Sequence, residues 1–218
     1  MGKMSSKQAS QVKRRGHARE ERFNNYFDPG CQEINYSGAS ADCNIADQEL
    51  LKTLQQHGIL KEGVIPTISL KGGNTIQIHL GNLPELTTQY VVQPGTPTMV
   101  YHGISFSDQK KQLLSPDFWR KYLKKGNILC YDYDDGNYIF FDMEEVISFI
   151  VKNTDWRYLK TGRIKGDLHG KQYLTYEYRT KKDSFVLGAH GAKKGRDFIN
   201  LIEQNVPNLK YKKGIVND

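Results

Sequence analysis

Hydrophobic residues recur at helical spacing in several segments of the chain, and residues typical of helix ends bound those segments. In the stretch KRRGHAREERFNNYF, Phe23 and Phe27 lie one helical turn apart among charged residues, so we predict a helix that ends before Asp28. The same reasoning predicts further helices after the cap Asp47, after Ser115-Pro116, after the capping-box pair Asp142 and Glu145, and around Phe198, Ile199 and Ile202.

Two other regions have the alternation and the turn residues of β-strands. Residues 67–71 and 75–80 surround the turn Gly72-Gly73-Asn74, and a hairpin is the simplest interpretation of that pattern. From Arg163 onward, β-forming residues alternate with basic ones and Gly170 interrupts them, which predicts a meander of three strands. We therefore predict a mixed α/β (α+β) fold, with a central mixed sheet flanked by helices and a C-terminal antiparallel β meander.

The length and composition suit a globular protein with one main domain. The chain has 218 residues, of which 38% are hydrophobic and 11% aromatic, enough to bury a sizeable core. We expect residues 1–12, which are polar and rich in Ser, Gln and Lys, to form a flexible N-terminus. Residues 13–218 are predicted to form a single domain, with a core and its helices in 13–160 and a basic β meander with a closing helix in 161–218.

Several classes of protein are disfavoured by what the sequence lacks. No apolar run approaches the roughly 20 residues of a membrane-spanning helix, and the start MGKMSSKQAS lacks the apolar core of a secretory signal. We therefore expect a soluble, cytoplasmic protein with no membrane partner. The three cysteines form no CxxC pair, the histidines form no HxxxH or HxH, and the Walker A, GxGxxG and GxSxG motifs are missing. These absences disfavour disulfide, zinc, nucleotide-hydrolase and serine-hydrolase chemistry.

The net charge of +7 is unevenly distributed along the chain. Residues 1–25 hold seven basic and two acidic residues, and residues 157–218 hold fourteen basic and six acidic ones. The residues between them hold ten basic and sixteen acidic residues, so basic ends flank an acidic middle. This distribution is compatible with a phosphate-binding surface around a metal-dependent centre. A solvated surface with uneven charge explains it equally well.

Three charged positions lie in or beside apolar segments and could act together on a phosphodiester. Asp42 begins a short apolar run, Lys71 ends a predicted strand, and Glu20 or Glu21 lies on the first helix. Carboxylates supply the hard oxygen ligands that Mg²⁺ prefers, while a lysine can orient or deprotonate the attacking water and stabilise charge on the phosphate. Taken singly, each is more often a turn, strand-end or helix-surface residue, and only their order along the chain favours the functional interpretation.

With these residues in this order, the chain resembles the PD-(D/E)xK nuclease superfamily over about residues 13–80. The resemblance rests on GHAREE at residues 16–21, on SAD at residues 40–42 and on SLK at residues 69–71. It implies a restriction-endonuclease-like fold and cleavage of DNA with Mg²⁺ as the cofactor, for which Mn²⁺ can substitute.

The resemblance also implies a role for individual residues. Asp42 and Glu20 are expected to bind the metal, Lys71 to be the catalytic lysine, and Leu70 to offer its main-chain carbonyl to the metal. The family usually has an acid two residues before the lysine, where this chain has Ser69.

The acid that is absent at position 69 has several candidate substitutes. Either Glu20 or Glu21 supplies the carboxylate, or the site has lost it. Gln77 and His79 alternate onto one face of the second predicted hairpin strand, where they could contact substrate or a metal-bound water. The alternative is that they are polar hairpin residues or, for His79, a hydrogen-bonded core residue.

Basic residues of the predicted meander are interleaved with tyrosines. Such a pattern can bind phosphates, contact base edges or stack on bases. A half-exposed sheet with inward tyrosines and outward lysines has the same pattern, and the two interpretations have nearly equal weight. The candidate DNA-binding residues are Arg163, Lys165, Lys171, Arg179, Lys181 and Lys182.

The sequence thus predicts a Mg²⁺-dependent endonuclease that cuts double-stranded DNA, with a type II restriction endonuclease as the favoured class. A palindromic target would need two copies of the site, so symmetry favours a homodimer, with a nicking monomer as the alternative. A junction resolvase, or a viral or repair nuclease that reads DNA shape, is the second candidate. A catalytically inactive DNA-binding protein on the same scaffold is the third.

Overall fold

A computed structural model of the chain describes residues 6–29, 43–73, 76–81, 90–92, 99–101, 126–158, 164–179, 184–189 and 194–212. The helices in these ranges are α1 (Ser6–Phe27), α2 (Gln48–Gln56), α3 (Met143–Asn153) and α4 (Lys194–Asn205). The strands are β1 (Ile68–Gly72), β2 (Ile76–Gly81), β3 (Tyr90–Val92), β4 (Met99–Tyr101), β5 (Ile128–Asp132), β6 (Asn137–Asp142), β7 (Thr154–Tyr158), β8 (Ile164–Leu168), β9 (Lys171–Arg179), β10 (Ser184–Ala189) and β11 (Asn208–Lys212).

These elements form two compact units, each with its own sheet. The first unit contains α1, α2, β1, β5, β6 and β11, and the second contains β2–β4, β7–β10, α4 and α3 from Glu144 onward. In the first unit the strand order is β1-β5-β6-β11, with β1 parallel to β5 and the other neighbours antiparallel. The prediction of a mixed α+β fold with a mixed sheet is confirmed.

Helix α1 packs across the sheet of the first unit through two fully buried phenylalanines. The ring centroid of Phe23 lies 5.8 Å from that of Tyr138 and 6.4 Å from that of Phe140, both on β6. Phe27 lies 5.2 Å from Tyr138 and, at the edge strand β11, 5.6 Å from Tyr211. These contacts confirm the apolar face that the phenylalanine spacing predicts, and the helix ends at Phe27 as expected.

The second unit contains the predicted meander. Its larger sheet has the order β2-β10-β9-β8-β7 and is antiparallel throughout, and β3 pairs with β4. Strands β8, β9 and β10 are the three that the alternation predicts. The first turn between them contains His169 and Gly170, with φ of 52° and 72°, a left-handed conformation that glycine adopts at little cost.

The predicted hairpin around Gly72-Gly73-Asn74 is wrong. Strand β1 pairs in parallel with β5, and Cys43 forms an isolated antiparallel bridge with Ile68, whereas β2 pairs with β10 in the other sheet. Gly73 has a φ of 77°, so it supplies a turn, but the chain after it enters another sheet. A local turn signal specifies a change of direction and does not specify the strand with which the next segment pairs.

The predicted helices have mixed outcomes. Helix α2 is confirmed, with Asp47 Oδ1 accepting hydrogen bonds from Glu49 N at 3.1 Å and Leu50 N at 3.0 Å. Helices α3 and α4 are also confirmed. Helix α1 begins at Ser6, seven residues before its predicted start at Lys13. The helix predicted after Ser115-Pro116 lies outside the described residues.

Candidate functional site

Helix α1 lies over the carboxyl ends of the parallel strands β1 and β5. The strand register pairs Gly72 of β1 with Asp132 of β5. A Cβ added to Gly72 would lie 2.5 Å from Nε of Arg19, so the missing side chain gives the arginine room to cross the strand end. One helical turn further on, Arg22 Nη2 donates a hydrogen bond to Asp132 Oδ2 at 2.5 Å. Two basic side chains therefore lie at the carboxyl edge of a parallel strand pair, the edge at which open α/β sheets commonly bind ligands.

Lys71 lies on the face of β1 that is turned away from α1. Ile68 and Leu70 are buried in the core that contains the phenylalanines of α1, so strand alternation places Ser69 and Lys71 on the opposite face. Lys71 is partly buried, and its register partner on β5 is Tyr131. Its Nζ donates a hydrogen bond to the carbonyl oxygen of Leu70 at 3.0 Å. The Leu70 carbonyl, which the resemblance assigns to the metal, thus accepts a hydrogen bond from the lysine ammonium in this structure.

The two candidate glutamates of α1 occupy different positions on the helix. Glu20 precedes Phe23 and Phe27 by three and seven residues, a spacing that places it on the side of α1 facing the sheet. Glu20 is partly buried and its Oε2 is shielded from solvent, whereas Glu21 is exposed. Of the two, Glu20 is therefore the one whose carboxylate is directed toward the protein interior.

Four charged side chains converge where α1 meets the loop after β5, and we name them the arginine–aspartate cluster: Arg19, Arg22, Asp132 and Asp134. Arg19 donates to both oxygens of Asp134, from Nε at 2.8 Å and from Nη2 at 2.5 Å. Arg22 Nη2 donates to Asp132 Oδ2 at 2.5 Å and also to Asp134 Oδ1 at 2.9 Å. Both arginines thus share one carboxylate, and the pairing of Arg19 has the forked geometry that guanidinium groups form with carboxylates and phosphates.

The two aspartates of the cluster differ in burial. The side chain of Asp132 is 0% exposed, and its Oδ1 accepts a hydrogen bond from the main-chain N of Asp134 at 2.6 Å. The side chain of Asp134 is 46% exposed, and the residue has a φ of 67°. Asp and Asn tolerate this left-handed region better than most residues with a side chain. Asp132 is therefore a fixed part of the interior, and Asp134 is a surface residue held against two arginines.

The electrostatics follow from these contacts. The hydrogen bond from Arg19 is the main reason why the pKa of Asp134 lies below its ordinary value. Burial acts to lower the pKa of Arg22, but the hydrogen bond and charge of Asp132 outweigh it, so that this pKa is raised. Burial also raises the pKa of Tyr138, and the charge of Asp132 adds to that increase. Burial raises the pKa of the Cys130 thiol as well, which makes it a poor nucleophile.

The remaining predicted site residues lie on strands of the second unit or outside the described residues. Gln77 and His79 are on β2, which pairs with β10, so they do not share a hairpin with Lys71. Their contact with substrate stays a prediction, and the hairpin on which it was based is not formed. Of the DNA-binding candidates, Lys165 lies on β8, and Lys171 and Arg179 lie on β9. The predicted residues outside the described ranges are Asp42, Arg163, Lys181 and Lys182.

Comparisons with protein-family models, with curated proteins and with solved structures gave no significant match. Within the part of the chain that the structure describes, no group of three or more His, Cys, Asp or Glu residues is arranged to hold a metal ion. Across the same residues, no helix is long and apolar enough for a membrane span. The geometry at the carboxyl edge of β1 and β5 is therefore the basis for assigning a function.

The sequence prediction did not include the arginine–aspartate cluster. Two signals pointed to it. Arg15, Arg19 and Arg22 recur at helical spacing and so share one side of α1. The stretch YDYDDGNY places an Asp-Gly turn between two β-forming runs, which is a hairpin signal and locates Asp132 and Asp134 at a strand end. Neither signal shows that the two segments meet.

Proposed function

We propose that the protein is a Mg²⁺-dependent endonuclease that hydrolyses phosphodiester bonds in double-stranded DNA, of the restriction type. The observation that carries the proposal is the packing of α1 against the carboxyl end of β1, where Arg19 lies over Gly72. This packing brings the helix that carries Glu20 to the end of the strand that carries Lys71. The resemblance places a helix glutamate and a strand lysine at one strand end, and the packing of α1 supports that proximity, although Lys71 lies on the face of β1 that is turned away from α1.

In this proposal Lys71 orients the attacking water and stabilises the charge that develops on the phosphate. Lys71 is partly buried, and its ammonium donates to the carbonyl oxygen of Leu70 at the strand end. The hydrogen bond to the Leu70 carbonyl fixes the position of Nζ until substrate binds.

Glu20 fits the donor chemistry of Mg²⁺, because it is a carboxylate with one oxygen shielded from solvent on the side of α1 that faces the sheet. Asp42 is proposed as its partner ligand. Asp132 and Asp134 do not fit, since arginines donate to their oxygens. When bound, the metal would stabilise the negative charge that builds on the scissile phosphate.

Cleavage of long duplex DNA tests the proposal. Wild-type protein should cut a mixture of long duplex DNA molecules in the presence of Mg²⁺, and cleavage should stop when EDTA is added. Lys71→Ala should lower the cleavage rate by at least about 100-fold, as expected when a catalytic acid–base group is removed, while DNA binding in EDTA is retained.

A matched control is Lys52→Ala, which removes an exposed lysine from α2 and should cut at the wild-type rate. Equal cleavage by Lys71→Ala and wild type would show that the lysine is not catalytic. Cutting restricted to branched DNA would indicate a junction resolvase or a related repair nuclease.

A catalytically inactive DNA-binding protein is the second candidate, and a specific observation favours it. The described carboxylates of the cluster accept hydrogen bonds from arginines, and the Leu70 carbonyl accepts one from Lys71. In addition, Ser69 stands where the family usually has an acid. DNA binding without cleavage under any divalent metal would establish this candidate and exclude the nuclease.

A further inference from the structure

The arginine–aspartate cluster contains one carboxylate that a phosphate group could replace. Arg19 donates two hydrogen bonds to Asp134 and Arg22 donates a third, so three N–H groups converge on a single exposed anion. A phosphodiester carries the same single negative charge and offers two oxygens to a guanidinium fork in the same way. We propose that Arg19 and Arg22 bind a backbone phosphate of DNA, and that Asp134 occupies this phosphate site when DNA is absent.

The burial of the four side chains determines which contacts exchange. Asp132 is fully buried and accepts hydrogen bonds from Arg22 and from the main-chain N of Asp134. Breaking its pair with Arg22 would leave an uncompensated charge inside the protein. Asp134 is 46% exposed and can move into water without that cost. Arg22 keeps Asp132 as a partner throughout, while Arg19 exchanges one anion for another. Both arginines therefore have an anionic partner before and after the exchange.

The surroundings of the cluster favour DNA as the source of the phosphate. Arg15 precedes Arg19 and Arg22 on the same side of α1, and Lys13 and Arg14 are exposed on the same helix. A row of basic side chains along one helix matches the repeated charges of a nucleic-acid backbone better than it matches one small anion. The inference rests on the proposed function for the identity of the ligand, but it requires no cleavage.

Binding of a short fluorescein-labelled DNA duplex, followed by anisotropy in EDTA, tests the inference. Asp134→Asn keeps the size of the side chain and tolerates the left-handed backbone, while it removes the competing charge. We expect this variant to bind DNA about two- to fivefold more tightly, which corresponds to the loss of one exposed ion pair. Arg19→Ala should weaken binding and reduce the slope of log affinity against log salt by about one.

The matched control is Asp135→Asn, which removes the same charge from the adjacent exposed residue. Asp135 Oδ1 accepts a hydrogen bond from Asn137 N at 3.0 Å, a contact that Asn can also accept. If both Asn variants raise the affinity equally, the effect is one of net charge and the inference is wrong. The increase caused by Asp134→Asn should also largely disappear in an Arg19→Ala background, and its persistence there would overturn the assignment to Arg19.

Two further outcomes separate this inference from other possibilities. If Asp134→Asn strengthens the binding of inorganic phosphate, measured by calorimetry, but leaves DNA binding unchanged, the site takes a free phosphate and the assignment to DNA is overturned. If DNA binding responds as expected but no DNA is cut in Mg²⁺, the phosphate site is supported and the nuclease proposal fails.

Discussion

The contacts beneath α1 fall into two halves, an aromatic half and a charged half, and each holds the helix to the sheet by a different force. Toward the C-terminal end of the helix, Phe23 and Phe27 pack against aromatic rings of β6 and β11 with no exposed surface. Toward its middle, Arg19 and Arg22 pair with the aspartates that end and follow β5. Apolar burial depends on the area removed from water and requires no particular partner group. An ion pair depends on a partner of matching charge and geometry, which a ligand can supply.

In the proposed function, one helix serves both stability and binding. The aromatic half fixes α1 on the sheet, and the charged half can then exchange one anion without loosening the helix. Within the charged half, Asp132 belongs with the fixed elements because it is buried, and only Asp134 is free to leave. Substitutions in the two halves should therefore differ in size and in kind.

Phe27→Ala should have the largest effect on stability. The side chain is fully buried against Phe23, Tyr138 and Tyr211, so its removal leaves a cavity in the aromatic half. We expect the free energy of unfolding to fall by about 4 kcal/mol, within the range measured for buried Phe→Ala changes. Urea denaturation measures the change. Tyr26→Ala, at the adjacent position that is 39% exposed, is the control and should cost far less; equal losses would contradict the packing described for α1.

Asp132→Ala should have the next largest effect, because it leaves Arg22 without its buried partner and the main-chain N of Asp134 without an acceptor. We expect the free energy of unfolding to fall by about 3 kcal/mol. This is the lower end of the range for breaking a buried ion pair, because Arg22 can turn toward water. Asp132→Asn keeps an acceptor for the main-chain N and should lose less. Denaturation of Asp135→Ala provides the control for an exposed aspartate. A loss for Asp132→Ala no larger than that of the control would show that the pair is not structural.

The sequence predicted those features of the fold that depend on local spacing. The phenylalanine spacing located the apolar face and the end of α1, and Asp47 located the start of α2. The alternation after Arg163 located the strands of the meander. Each of these features is determined by residues within a few positions of one another, through helical or strand periodicity or through a capping hydrogen bond.

Features that depend on distant partners were not predictable in this way. The parallel partner of β1 lies about sixty residues later in the chain, and the partners of Arg19 and Arg22 lie more than one hundred residues later. Local patterns carry no information on such pairings. Lys71 could be identified as a candidate from its position before Gly72, but its orientation away from α1 follows only from the burial of Ile68 and Leu70.

Gly72→Ala should have the smallest effect. It tests whether the charged half depends on the missing side chain at the end of β1. The added Cβ would lie 2.5 Å from Nε of Arg19 and 2.9 Å from its Cδ and Cζ, so something must move. The far end of a flexible side chain moves more easily than backbone, and Arg19 would leave its forked pairing with Asp134. We expect a loss of about 1 kcal/mol, the size of a partly exposed ion pair. Thermal denaturation in an Arg19→Ala background isolates the cause, because there the added methyl group should be nearly neutral. The same loss in both backgrounds would mean that the methyl group strains the strand itself and that Gly72 is not the opening through which Arg19 reaches Asp134.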